Sequence, residues 1–181
     1  MTQIAIETAP PEARLAIDSM MQLYAHDFSE FWAGTPRGEL GEDGRFADYP
    51  LEPYWREPGH VPLLLRKAGA LAGFALLNAE AHSGLPVDRN MAEFFILRKH
   101  RRGGLGTQAA QAIFDLFPGQ WEAAVARRNL TALSFWRRAV ASHPRVSDID
   151  EADLQTDHWN GPVIRFRISA GAPAWPGPGP G

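Results

Sequence analysis

The chain has 181 residues, a formal net charge of −3, 45% hydrophobic and 22% charged residues, and no cysteine. The length fits one domain large enough to bury its own core, and the lack of cysteine excludes a disulfide framework, thiolate metal sites and a cysteine nucleophile. The small negative charge argues against nucleic acid or an anionic membrane as the main partner. Residues 1–10 show neither the basic nor the apolar region of a secretory signal, and the longest apolar run, 71–77, is broken by Gly73 and too short to span a bilayer. A cytoplasmic protein is expected.

Alternation over residues 4–7 predicts a short first strand. Pro10 and Pro11 suit a helix start. Leu15, Ile17, Met20, Met21, Leu23, Tyr24 and Phe28 then recur near helical spacing up to Glu30. Residues 33–59 are rich in Gly, Pro, Asp and Tyr, as functional or mobile connections are, with a short helical turn expected at 51–55. Apolar runs at 61–66 and 70–79, joined by Lys67, Ala68 and Gly69, predict a β-hairpin. A polar connection over 81–90 leads to a buried strand at 91–97. Gly103, Gly104 and Gly106 open a helix that Pro118 and Gly119 stop after Phe117. A strand at 120–125, a helix at 132–140 and a last strand at 163–168 follow. Asp148, Asp150, Glu151 and Asp153 read as a solvated loop rather than a calcium site. Residues 170–181, almost all Ala, Pro and Gly, read as a disordered tail, which leaves 1–169 as a single domain. This order predicts an α/β fold with a mixed, largely antiparallel central sheet, a parallel βαβ segment and flanking helices.

The segment from Phe94 to Thr107 carries the chemistry. A buried strand runs into a basic, glycine-rich turn that opens a helix. Such a turn aims free backbone N–H groups at one spot, where the helix dipole adds positive potential. Arg98, Lys99, Arg101 and Arg102 add charge, so a polyphosphate site is predicted. Gly104-x-Gly106-x-x-Ala109 matches the dinucleotide fingerprint. That fingerprint belongs on a first strand with an acidic residue closing the next, whereas here several strands come first and Glu122 begins the next strand. No P-loop pattern occurs.

A second pattern fits the segment better. Arg101-x-x-Gly104-x-Gly106 resembles the acetyl-CoA signature of the GNAT N-acetyltransferases, and Asn129-x-x-Ala132-x-x-Phe135-Trp136 is similar to the segment that follows it in that family. The strand–helix–hairpin order before them is also that of the GNAT fold. The resemblance implies acetyl-CoA as cofactor, with coenzyme A as product. Backbone amides of Arg101, Arg102, Gly103, Gly104, Leu105, Gly106 and Thr107 would hold the pyrophosphate. The backbone of Ile96 and Leu97 would pair with the pantetheine arm like an added strand. Asn129 would bond the pantetheine or cap the next helix, with Phe135 and Trp136 beside it, and some of the four cations would meet the ribose phosphate.

The implied reaction is direct acyl transfer to a small-molecule primary amine. An amine of pKa near 10 is neutral at pH 7 only at a cost of roughly 4 kcal/mol, so a general base is wanted. Glu93, flanked by hydrophobes on the strand that leads to the turn, is the candidate. Many GNAT enzymes place a Tyr acid where this chain has Trp136, whose N–H only donates. Tyr49 and Tyr54 are the loop phenols that could serve instead, and Tyr54 is taken as the catalytic one. Asp27, Glu30, Tyr49 and Trp55 are expected to line an acceptor site for a cationic amine. No metal is expected, because the histidines show no ligand spacing. A monomer or homodimer without nucleic-acid or membrane partners is expected. The alternative is a non-catalytic acyl-CoA-binding sensor or partner domain, a reading motivated by Trp136.

Overall fold

The computed structural model describes residues 4–171, so the tail expected at 170–181 falls outside the described residues from 172 on. The chain divides into two compact units. One holds the described residues up to Asn78 with Ala92–Arg101; the other holds Ala79–Met91 with the described residues from Arg102 on.

In the first unit, β1 (Ile4–Thr8) pairs antiparallel with β2 (Val61–Lys67), and β2 pairs antiparallel with β3 (Ala70–Asn78). The expected hairpin turn is closed by Ala68 and Gly69 at φ 50° and 80°, the sense that matches strand twist. β4 (Arg89–Ile96) lies beside β3. A 3-10 turn at Pro11–Ala13 precedes α1 (Arg14–Ser29), a second follows at Glu30–Trp32, and α2 is the single turn Pro53–Arg56. The apolar spacing of α1 divides in two. Ile17, Met20, Met21 and Tyr24 pack with Leu64, Phe74 and Phe95, whereas Leu15 and Leu23 are exposed.

In the second unit, α3 (Leu105–Leu116) leads into β5 (Gly119–Ala124), and α4 (Leu130–Ala141) follows. β5 runs parallel to β4 only at Arg89 and Asn90, and pairs antiparallel with β7 (Asn160–Ile168). Phe114, Trp121 and Phe166 form the aromatic centre, with Phe114 meeting the other two edge-on at ring separations of 5.1 and 5.0 Å. The strand order is β1-β2-β3-β4-β5-β7-β6, a mixed sheet whose one parallel pair among the described residues is β4–β5.

The acidic segment expected as a loop is instead strand β6 (Val146–Gln155), antiparallel to β7 at the sheet edge. Its residues are almost all exposed, so no burial pattern of period two could mark it. The backbone ladder to β7 holds it, and Glu151 and Asp153 pair with Arg137 and Arg127.

One close approach fixes β4 against β3. A Cβ on Gly73 would stand 1.9 Å from the Phe95 carbonyl oxygen. Gly73→Ala therefore has to push β4 away, and we expect a loss of about 2 kcal/mol in urea unfolding despite the entropy gained by replacing glycine.

Candidate active site and coenzyme turn

Glu93 lies two residues before Phe95 on β4, so both side chains share a face. Tyr24, on the buried stripe of α1, sets its ring edge-on to Phe95 at 5.8 Å and to Phe74 at 6.1 Å. From α1 and the connection after it, the Tyr24 and Tyr49 phenols both act on the ionisation of the Glu93 carboxyl. Burial raises the Glu93 carboxyl, the two phenols partly offset this, and the result is a pKa of about 7. Burial, and then the Glu93 charge, push both phenols above their ordinary value. Tyr54 adds to the upward push on Tyr49. Tyr54 is buried and edge-on to His60 at 5.0 Å.

The residues expected to receive the acceptor are placed differently from one another. Tyr49 borders a groove of about 450 Å³ that Leu15, Asp18, Asp48 and Leu51 also line. Trp55 donates its indole N–H to the Ala9 carbonyl at 2.9 Å and packs on the core. Glu30 is exposed and acts on Arg98 through its charge. Asp27 pairs with the turn: Arg98 donates to it at 2.9 Å through Nε, and Arg101 donates through Nη2. Burial pushes the Asp27 carboxyl up, but the hydrogen bonds from Arg101 and Arg98 outweigh this and hold it below its ordinary 3.8.

The turn continues β4 directly. Leu97 N–H donates to the Ala72 carbonyl at 2.8 Å, and the Leu97 carbonyl accepts from His100 at 2.9 Å. The Ile96 carbonyl accepts from Arg101 Nε at 2.7 Å. Three backbone groups at the two residues expected to pair with pantetheine thus already have partners, although a carbonyl can accept twice. Arg102 and Gly104 take positive φ of 65° and 79°, and no side chain caps the start of α3. A Cβ on Gly103 would meet nothing within 4 Å, so the turn has open space beside it. Lys99 and Arg102 are exposed, Leu105 is buried, and Gly106 and Thr107 are half-buried.

Asn129, left open between two roles, caps α4, its Oδ1 accepting from Ala132 N–H at 3.0 Å. Trp136 faces inward, its ring 6.5 Å from Phe114 and 4.9 Å from that of the half-buried Phe135. Glu122 is fully buried and accepts from the backbone of His82 at 2.6 Å and from Arg165 at 3.2 Å. Two roles went unread in the sequence. Tyr24 looked like a core position, because nothing local shows that it influences a carboxyl group; Glu122 gave no sign of burial with an arginine. Among the described residues, no group of three or more His, Asp or Glu is placed to hold a metal ion, and no helix is long and apolar enough to cross a membrane.

The family model described as Acetyltransferase (GNAT) family matches residues 17–140, and the chain belongs to that family. An acetyltransferase from Thermus thermophilus is 17% identical with a TM-score of 0.61, over 93% of this chain and 100% of that one. The aminoglycoside acetyltransferase AAC(6')-Ib, in complex with coenzyme A and kanamycin, is 14% identical with a TM-score of 0.58, over 92% of this chain and 95% of that one. The spermidine N-acetyltransferase of Vibrio cholerae, in complex with CoA and spermine, is 12% identical with a TM-score of 0.56, over 92% and 95%. These three share the fold. No curated protein sequence matches the chain.

The Asp27 carboxylate is 16% exposed, but its arginines are open to solvent, which screens the pairs. Because its folded pKa is depressed, its contribution is present above the unfolded value and lost as pH falls through the lower folded one. Asp27→Asn is expected to lower stability by about 1 kcal/mol at pH 7, with the difference from wild type closing in strong acid, as urea unfolding across pH would show.

Proposed function

We propose that this enzyme transfers an acetyl group from acetyl-CoA to the primary amine of a small molecule, by direct attack within a ternary complex. The observation that carries this reading is the half-buried Glu93 on the strand that leads into the turn, its ionisation influenced by the Tyr24 and Tyr49 phenols. A carboxylate with a pKa of about 7 is ionised in half the molecules at neutral pH, which is where a general base works best.

The turn suits a pyrophosphate. Its glycines leave open space, and the first N–H groups of α3 have no side-chain cap. Backbone groups from Arg101 to Thr107 would hold the phosphates, with Lys99 and Arg102 nearby. Pantetheine would add to the β4 backbone, sharing the Ile96 carbonyl with Arg101. Coenzyme A bound there supplies an acetyl thioester, and its thiol, of pKa about 8.5, leaves without strong acid help. Glu93 takes the amine's proton. Trp136 then needs no catalytic role, and its inward position gives it a packing one.

The acceptor would enter along the groove at Tyr49, where Asp18 and Asp48 suit a cationic amine. The kanamycin and spermine of the two complexes are such amines. We place the protein in the cytoplasm, as a monomer or homodimer without nucleic-acid or membrane partners.

Isothermal titration is expected to show acetyl-CoA binding, with none for NAD. Binding of NAD in place of acetyl-CoA would return the turn to the dinucleotide reading. With acetyl-CoA and a panel of primary amines, kcat/KM should rise with pH through about 7 as Glu93 ionises, and that limb should be missing in Glu93→Gln.

A further inference from the structure

We propose that Arg98 exchanges partners when the coenzyme binds, leaving Asp27 for the ribose phosphate, and that Asp27 is the resident anion this phosphate has to displace. This rests on the reading of the turn after β4 as the coenzyme's phosphate site. Two guanidinium groups meet on the one Asp27 carboxylate, and they are held unequally. Arg98 reaches a single oxygen, with Nε at 2.9 Å and Nη2 at 2.7 Å from Asp27 Oδ1. Arg101 takes the other oxygen through Nη2 and has two further anchors. Its Nε donates to the Ile96 carbonyl at 2.7 Å, and its guanidinium carbon lies 5.5 Å from the centre of the Phe95 ring. The Arg98 side chain is 68% exposed and that of Arg101 38%. Arg101 is therefore the fixed member of the pair and Arg98 the member that can move.

The chemistry favours the exchange. An ion pair with one partner as open to water as Arg98 contributes little, so giving it up is cheap. A phosphate monoester carries close to two negative charges at neutral pH and offers three acceptor oxygens, where a carboxylate carries one charge on two. The guanidinium fork fits it with two parallel hydrogen bonds, whereas on Asp27 both bonding nitrogens of Arg98 share one oxygen. Arg101 does not follow, because leaving Asp27 would also strain its contacts with the Ile96 carbonyl and the Phe95 ring. Its hold on Asp27 Oδ2 keeps α1 tied to the end of β4 throughout. Asp27 thus acts through Arg98. It lowers the affinity of the turn for phosphate, and it takes Arg98 back when coenzyme A departs, which speeds release of the product.

The test is isothermal titration of coenzyme A at low ionic strength into the wild type, Asp27→Asn, Arg98→Gln and the double variant. Asp27→Asn is expected to bind about threefold more tightly, with the gain shrinking as salt is added. The double variant should show no gain over Arg98→Gln alone, and dephospho-coenzyme A, which lacks the ribose phosphate, should show no gain in Asp27→Asn. A merely structural role for Asp27 would make its loss weaken binding, so the sign of the change separates the two. Equal or weaker binding by folded Asp27→Asn overturns the proposal. A gain that survives in the double variant, or with dephospho-coenzyme A, overturns it too, since Asp27 would then act by its charge alone. If Asp27→Asn does not fold, as judged by near-ultraviolet circular dichroism, Arg98→Gln decides: about twofold weaker binding with a shallower salt dependence is expected, and unchanged binding overturns the exchange. No binding of coenzyme A by the wild type overturns the reading of the turn itself, whereas a wild type that binds beside variants that do not respond overturns the exchange alone.

Discussion

A half-buried carboxyl group on β4, influenced by two phenols, is the feature that the surrounding packing has to accommodate. Burial alone disfavours the ionised Glu93, while Tyr24 and Tyr49 restore part of what hydration would supply. The balance leaves the folded pKa at about 7 against an ordinary 4.5. Because the folded value is raised, the carboxyl leaves stability untouched while both folded and unfolded states keep it protonated. Ionising it within the fold costs about 3 kcal/mol, an effect that sets in above pH 4.5 and is complete above about 7. A fold that tolerates such a group has its compensation in the well-packed apolar cluster of α1, β3 and β4 around it.

Helix α1 also steadies the basic turn after β4. Asp27, on α1, gathers Arg98 and Arg101 at the end of β4. Two of the four basic residues counted towards phosphate binding are therefore already paired with a carboxylate. Arg101 is also fastened to the Ile96 carbonyl. Its motif position accordingly does structural work at the strand end, and in the proposed reading the phosphates would meet backbone N–H groups and the exposed Lys99 and Arg102.

Much of this was legible in the sequence because periodicity and turn chemistry report local structure. The hairpin at Ala68 and Gly69, the buried strand that bears Glu93, and the helix opened by Gly104 all appear where the pattern put them. Strand β6 did not, since an edge strand exposed along nearly its whole length has no buried face to imprint on its sequence. The partners of Asp27 and Glu93 were illegible for a related reason. They lie 71 or more residues away for Asp27, and helical spacing tells which face Tyr24 occupies but not which hydroxyl meets which acid. Asn129 needed the structure to show its cap, because the same residue suits a ligand amide equally well.

The most direct test of acetyl transfer assisted by Glu93 is the rate of free coenzyme A thiol release at saturating amine, compared between wild type and Glu93→Gln above pH 7. A loss of roughly 10²–10⁴-fold with acetyl-CoA binding unchanged is the predicted result. Equal rates in the two proteins would contradict the assignment of Glu93, and release that no amine stimulates in the wild type would contradict the acetyltransfer itself.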